Sequence, residues 1–145
     1  QYNDRWFLFG FEESERHTGI TNLALDRINE ITETIDDIVS DTNVWGDFFD
    51  EMIGVSIPTN QESIEIKLRF STGRIPYVTT KPIHGASQRL DKTDPEQRTV
   101  IINVLPNNEM YQTLLSFGSD VEVLSPNLVA DKMKSISKKM NEYYN

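Results

Sequence analysis

The chain contains no cysteine, which excludes disulfide staples, thiolate zinc sites and a cysteine nucleophile. That composition fits a reducing compartment, and the cytosol is the expected location. Histidine is scarce: His17 and His84 are the only two, and neither has the spacing to a partner that builds a zinc-binding helix. Neither a metal centre nor any other cofactor is expected. Gly10, Gly19, Gly46 and Gly54 stand alone, so no glycine-rich loop exists to cradle a phosphate, and nucleotide hydrolysis is disfavoured. No apolar run approaches the roughly 20 residues of a membrane helix, and no cationic and then apolar segment opens the chain. With 145 residues there is room for one or two small domains but not for a barrel enzyme of about 250 residues.

Positive charge is also missing from one end. Residues 1–60 have no lysine and set three arginines against thirteen acids, whereas residues 61–126 are nearly balanced and the last 19 carry four lysines against two acids. A net charge of −9 argues against general binding to duplex DNA, which needs a broad cationic face to displace counterions. A local basic pocket is compatible with it.

Two blocks are legible. The first, residues 1–53, opens with Arg5-Trp6-Phe7-Leu8-Phe9-Gly10-Phe11, a run of high strand propensity with no preceding cap or turn. Since Gln1 is not an initiator methionine, further chain upstream is expected. A charged turn from Glu12 to Thr18, a second strand from Ile20 to Ile28 and an acidic connector from Thr32 to Ile53 follow. In the connector, Trp45, Phe48, Phe49, Met52 and Ile53 suit a short docking helix or a loop. The second block, residues 54–145, begins at a boundary rich in turn residues, Gly54 to Gln61.

There Ile64, Ile66, Leu68 and Phe70 alternate with Glu65, Lys67 and Arg69, the period of a strand with one buried face. A short helix limited by Pro76, a polar strand over Ser87 to Lys92 and a central strand over Arg98 to Leu105 come next. In that strand Ile101 and Leu105 give the second face an apolar character that asks for cover. Asn107 or Asn108 can cap a helix carrying Met110, Leu114 and Leu115, with Gly118 placed for a left-handed stop. Val121 to Leu124 is the fourth strand, and Ser125-Pro126 starts a last helix reaching about Tyr143. Its stripe of Val129, Met133, Ile136, Met140 and Tyr143 has coiled-coil spacing. Residues 62–124 therefore read strand, helix, strand, strand, helix, strand, the split ferredoxin-like arrangement.

Candidate binding residues follow from charge and aromaticity. Trp6, Phe7, Phe9 and Phe11 can pack a core or stack bases. Arg27 can pair with Asp26 or hold an anion. Arg74, Tyr77, Lys81, His84, Gln88 and Arg89 cluster in sequence within the least acidic block, where they form either a solvated surface or an anion site. The acidic run Glu12, Glu13 and Glu15 reads as a solvated turn rather than an acid and base pair.

On these residues the chain resembles the effector half of the WYL-domain transcriptional regulators of bacteria. Trp6-Phe7-Leu8 stands where that family has Trp-Tyr-Leu, without the tyrosine hydroxyl, and Leu25-Asp26-Arg27-Ile28 is similar to its Leu-Asp-Arg-Ile segment. Phe70, Tyr77-Val78, Lys81-Pro82-Ile83-His84, Ser87-Gln88, Asn108-Glu109, the segment from Leu114 to Gly118 and that from Val121 to Pro126 resemble its C-terminal extension, called WCX. The resemblance implies an α+β chain: part of an Sm-like or SH3-like β-barrel, then a ferredoxin-like (βαββαβ) domain with a C-terminal helix. It further implies a helix-turn-helix DNA-reading part upstream and a homodimer. The expected function is non-enzymatic: a region that senses an anionic ligand, such as single-stranded nucleic acid or a nucleotide, through Phe7, Arg27, Arg74, Tyr77, Lys81, His84 and Arg89, with no membrane partner. A purely structural dimerisation module is the alternative.

Overall fold

A computed structural model describes residues 1–13, 18–33, 35, 45–58 and 61–144 of the chain. Strand β1 (Phe7–Glu13) pairs antiparallel with β2 (Thr18–Ala24) in a two-stranded ribbon, with Phe7 opposite Ala24 and Leu8 opposite Leu23. The second strand stops sooner than the apolar pattern suggests, because Leu25–Arg27 tightens into a 3₁₀ turn closed by the Ile28 amide on the Leu25 carbonyl. His17, Glu15 and residues 34 and 36–44 of the acidic connector lie outside the described residues. The described end of the connector forms helix α1 (Trp45–Phe49). Phe49 meets Phe9 edge to face at 4.8 Å, so one face of the ribbon is covered by aromatic packing.

The N-terminal aromatics do not all enter a core, as the packing alternative would require. Trp6 and Leu8, with Leu23 and Leu25 across from them, are exposed on the other face, and Phe11 is exposed as well. Alternation explains Trp6 and Leu8, since a lone ribbon has two faces and α1 packs on the one holding Phe9; Phe11 shares the Phe9 face and is exposed there.

The second sheet comprises β3 (Ile64–Phe70), β4 (Arg89–Leu90), β5 (Thr99–Val104) and β6 (Val121–Ser125), in the order β4, β5, β3, β6 and wholly antiparallel. Helix α2 (Ile75–Thr80) follows β3 with Pro76 in its first turn, where a missing amide donor costs nothing. Helix α3 (Asn108–Leu115) follows β5 and is capped by Asn107, whose side chain accepts the Met110 amide at 2.8 Å. Gly118 takes φ +56° just beyond it. Helix α4 (Asn127–Tyr144) ends the chain.

Ile66, Leu68 and Phe70 from β3 and Val100, Ile102 and Val104 from β5 form one buried cluster with Val78 of α2, Met110 and Leu114 of α3 and Val129 of α4. The helices thus share one face of the sheet. The opposite face differs from expectation. Ile101 and Leu105, read as apolar residues wanting a partner, are each 7 % exposed within the single chain. Ile101 stands in register between Lys67 and Arg89, long side chains whose aliphatic stems can cover it while their charges stay in water. Leu105 donates its amide to the Glu51 carbonyl at 2.7 Å, which lays the end of the connector over it.

Candidate functional site at the junction of the two blocks

Residues 51–56, placed by sequence at the edge of a boundary, form a strap stitched to the second block residue by residue. Beyond the Glu51 bond, Asn107 Nδ2 donates to the Ile53 carbonyl at 2.8 Å and the Ser56 carbonyl at 3.0 Å while its oxygen caps α3. Glu109 Oε1 accepts from Ser56 Oγ at 2.7 Å and the Ser56 amide at 3.1 Å. Gly54 adopts φ +85°, and a Cβ there would lie 2.6 Å from Glu109 Cγ, so only glycine fits both the backbone and the space. The strap also holds the ribbon, because Asn22 Nδ2 donates to the Val55 carbonyl.

Above the strap, Tyr2, Arg5, Phe7, Ser56, Glu109 and Gln112 line a groove of about 460 Å³. It offers an aromatic face for stacking, amide groups, and one guanidinium. Arg5 spends one nitrogen on Asp26 at 3.1 Å, with both side chains about half exposed, which leaves further N–H groups to donate. Arg5 was not among the residues that the sequence singled out. Its signal was available: it is the first cation in a block with no lysine, next to the aromatic run. The same contact removes the expected Asp26–Arg27 pair, since Asp26 turns to Arg5 instead. Arg27 is exposed and forms no ion pair among the described residues.

The other expected binding residues do not converge. Arg74, Tyr77 and Lys81 do stack on α2, with the Arg74 guanidinium 5.8 Å and the Lys81 ammonium 6.0 Å from the Tyr77 ring centre. Arg74 also directs Nε and Nη2 to Asp120 Oδ2 at 3.2 and 3.1 Å. The Ser71 hydroxyl on Asp120, together with Arg74, holds that carboxyl below its usual range. Arg89 bonds Glu65 at 2.7 Å on the open face of the sheet. His84 is buried, with Nδ1 2.7 Å from Ser87 Oγ, and Gln88 ties the same loop to the Val78 carbonyl and the Ile83 amide, both at 2.9 Å. Phe7 alone of the expected set lines the junction groove.

The open face of the sheet carries a ladder of opposite charges: Arg89 with Glu65, Lys67 with Asp91 at 3.2 Å and Arg69 with Glu122 at 3.8 Å. Its outward residues include no aromatic side chain, so it lacks the stacking platform with which four-stranded sheets hold single-stranded RNA.

Fold and site together define an α+β domain: a four-stranded antiparallel sheet with helices on one face, a C-terminal helix, and a ribbon anchored through a strap. The family model of the WCX domain matches residues 62–140, and the chain belongs to that family. No curated protein matches the chain.

Proposed function

We propose that the chain is the effector region of a WYL-type transcriptional regulator of bacteria. In this reading the ribbon is the later part of an Sm-like or SH3-like barrel, residues 1–53, and residues 54–145 form a ferredoxin-like domain with a terminal helix. The region is non-enzymatic and cytoplasmic, pairs with a second copy of itself, and passes a ligand signal to a helix-turn-helix that contacts DNA. The ligand is anionic, a short single strand of nucleic acid or a nucleotide. The observation that carries the reading is the WCX match at residues 62–140, next to a ribbon bearing Trp6-Phe7-Leu8 whose Phe7 lines the junction groove. An anion in the groove would use Arg5 for charge and Phe7 and Tyr2 for stacking, with Arg27, exposed and outside the groove lining, as a further cation. Arg74 and Arg89 are secondary candidates, because neither lines the groove.

The test is titration with oligothymidylate and with nucleotides at two salt concentrations. Arg5→Ala or Arg27→Ala is expected to weaken binding about tenfold, the loss of one charge-assisted contact of roughly 1.5 kcal/mol or more. Affinity should fall as salt rises. The paired state of Arg74 and Arg89 favours a second reading, a structural dimerisation module without ligand. That reading becomes the better account if neither probe binds, or if the arginine variants bind as the wild type does.

A further inference from the structure

Glu109 is 8 % exposed, and the strap uses only one of its two oxygens. Oε1 accepts the Ser56 hydroxyl at 2.7 Å and the Ser56 amide at 3.1 Å. Oε2 is also buried, and among the described residues it is the one buried side-chain oxygen or nitrogen without a hydrogen-bond partner. An acceptor buried in this way is costly unless something donates to it. The roles already assigned to Glu109 do not account for it. Holding the strap takes a single acceptor, which the amide oxygen of a glutamine would supply equally well. An acid in the first turn of α3 complements the helix dipole, which explains a charge there and not the missing donor.

The stem of Glu109 is held in place, because the strap packs on it at Gly54, where a Cβ would lie 2.6 Å from Cγ. Glu109 lines the same groove as Tyr2, Arg5, Phe7 and Gln112, about 460 Å³ in volume, within the roughly 300–1,000 Å³ of small-molecule sites. The groove therefore combines an aromatic surface, one cation and one unpaired acceptor. A bare phosphate would use the cation and be repelled by the carboxylate. A nucleotide uses all three features when its base presents an N–H. The exocyclic amines of cytosine, adenine and guanine donate, whereas O4 of thymine accepts, and a carboxylate is the side chain that accepts from a base amine.

We propose that the groove selects nucleotides whose base carries an exocyclic amine: Glu109 Oε2 accepts that N–H, Phe7 or Tyr2 stacks on the base, and Arg5 takes the phosphate. The selection rests on the nucleotide reading given above and narrows it. Gln112, exposed and one turn along α3 from Glu109, turns its side chain aside to admit the base edge. A base with a carbonyl in place of the amine sets acceptor against acceptor, so uracil and thymine forgo the bond and leave Oε2 unpaired.

The experiment titrates the full chain near pH 7 with oligodeoxycytidylate and oligodeoxyuridylate of equal length, which share backbone and ring size and differ in amine against carbonyl. The cytidylate strand is expected to bind about tenfold more tightly or better. Glu109→Gln keeps an oxygen for Ser56 and offers the base an N–H instead of an acceptor, so it should abolish or reverse the preference. Arg5→Ala should weaken both strands by a similar factor and keep the preference. Equal binding of the two strands by the wild type overturns the selection while the nucleotide reading stands, and a preference that survives Glu109→Gln undiminished overturns the role of Glu109. Binding of neither strand overturns the selection and the nucleotide reading together. If Glu109→Gln fails to fold, a strand of N4,N4-dimethylcytosine, which has no N–H to give, decides the matter on the wild type: it should bind no better than the uridylate strand, and binding as tight as that of cytidylate refutes the proposal.

Discussion

Asn107 does three jobs with one amide: its oxygen caps α3 on the Met110 amide, and its nitrogen holds the Ile53 and Ser56 carbonyls. A cap contributes about 1 kcal/mol, and buried acceptors left without a donor cost about 1–3 kcal/mol. Asn107→Ala should therefore lower unfolding free energy by about 2–4 kcal/mol in urea titrations. Asn107→Asp, which keeps the cap but loses both donors, should fall between. Asp91 shows the same economy. Thr93 donates to it through hydroxyl at 2.6 Å and amide at 2.9 Å, and Lys67 lies at 3.2 Å, which lowers its pKa from 3.8 to about 2. A depressed carboxyl stabilises the fold above its unfolded value, and that contribution is lost as pH falls from about 3.8 toward 2. Urea midpoints near pH 6 and near pH 2.5 should differ less in Asp91→Asn than in the wild type. An unchanged difference would show that Asp91 contributes nothing to acid sensitivity.

At the level of elements, the second block was legible because its strands and helices obey simple periods. Ile64, Ile66, Leu68 and Phe70 alternate, and strand β3 runs over those residues. Asn107 and Gly118 punctuate α3 as a cap and a left-handed stop. The strap was not legible. Its residues satisfy no period, since it is held by hydrogen bonds from Asn107 and Glu109, more than 50 positions away, and local pattern carries no information about such partners. The expected binding residues do not converge for a related reason: nearness in sequence brought Arg74, Tyr77 and Lys81 onto one helix face, but the turn after α2 sends His84 inward and Arg89 to the opposite face of the sheet. Gly54 offers the sharpest test of the strap. Gly54→Ala must either strain φ +85° or push Glu109 away, so it should cost about 1–3 kcal/mol. It should also lower the protection of the Ser56 amide more than that of β3. A neutral Gly54→Ala would mean that the strap is not held as described.

For the whole molecule, the distribution of uncovered apolar surface determines where a second copy could bind. The open face of the four-stranded sheet is unsuited to it, because its charges are already paired and Ile101 is covered. Helix α4 is different. Its 18 residues extend about 27 Å, and the apolar stripe changes character along that length: Val129 is fully buried and Met133 packs on the core, whereas Met140, Tyr143 and Tyr144 are 45, 72 and 86 % exposed. The near half of the helix stabilises the monomer, and the far half has the spacing of a helix seam that no element among the described residues covers. The two halves should therefore separate by mutation. Val129→Ala opens a cavity in the core and should cost about 1–3 kcal/mol. Met140→Ala with Tyr143→Ala removes mostly exposed apolar surface, so it should lower the melting temperature of the dilute protein far less than Val129→Ala does while weakening self-association by about tenfold or more, given roughly 25 cal/mol for each Å² no longer buried. Sedimentation at low and high micromolar concentration reads both effects. A wild-type chain that stays monomeric at high concentration refutes the pairing of copies. A dimer untouched by the double substitution moves the interface elsewhere, with the exposed ribbon face of Trp6, Leu8, Leu23 and Leu25 next in line.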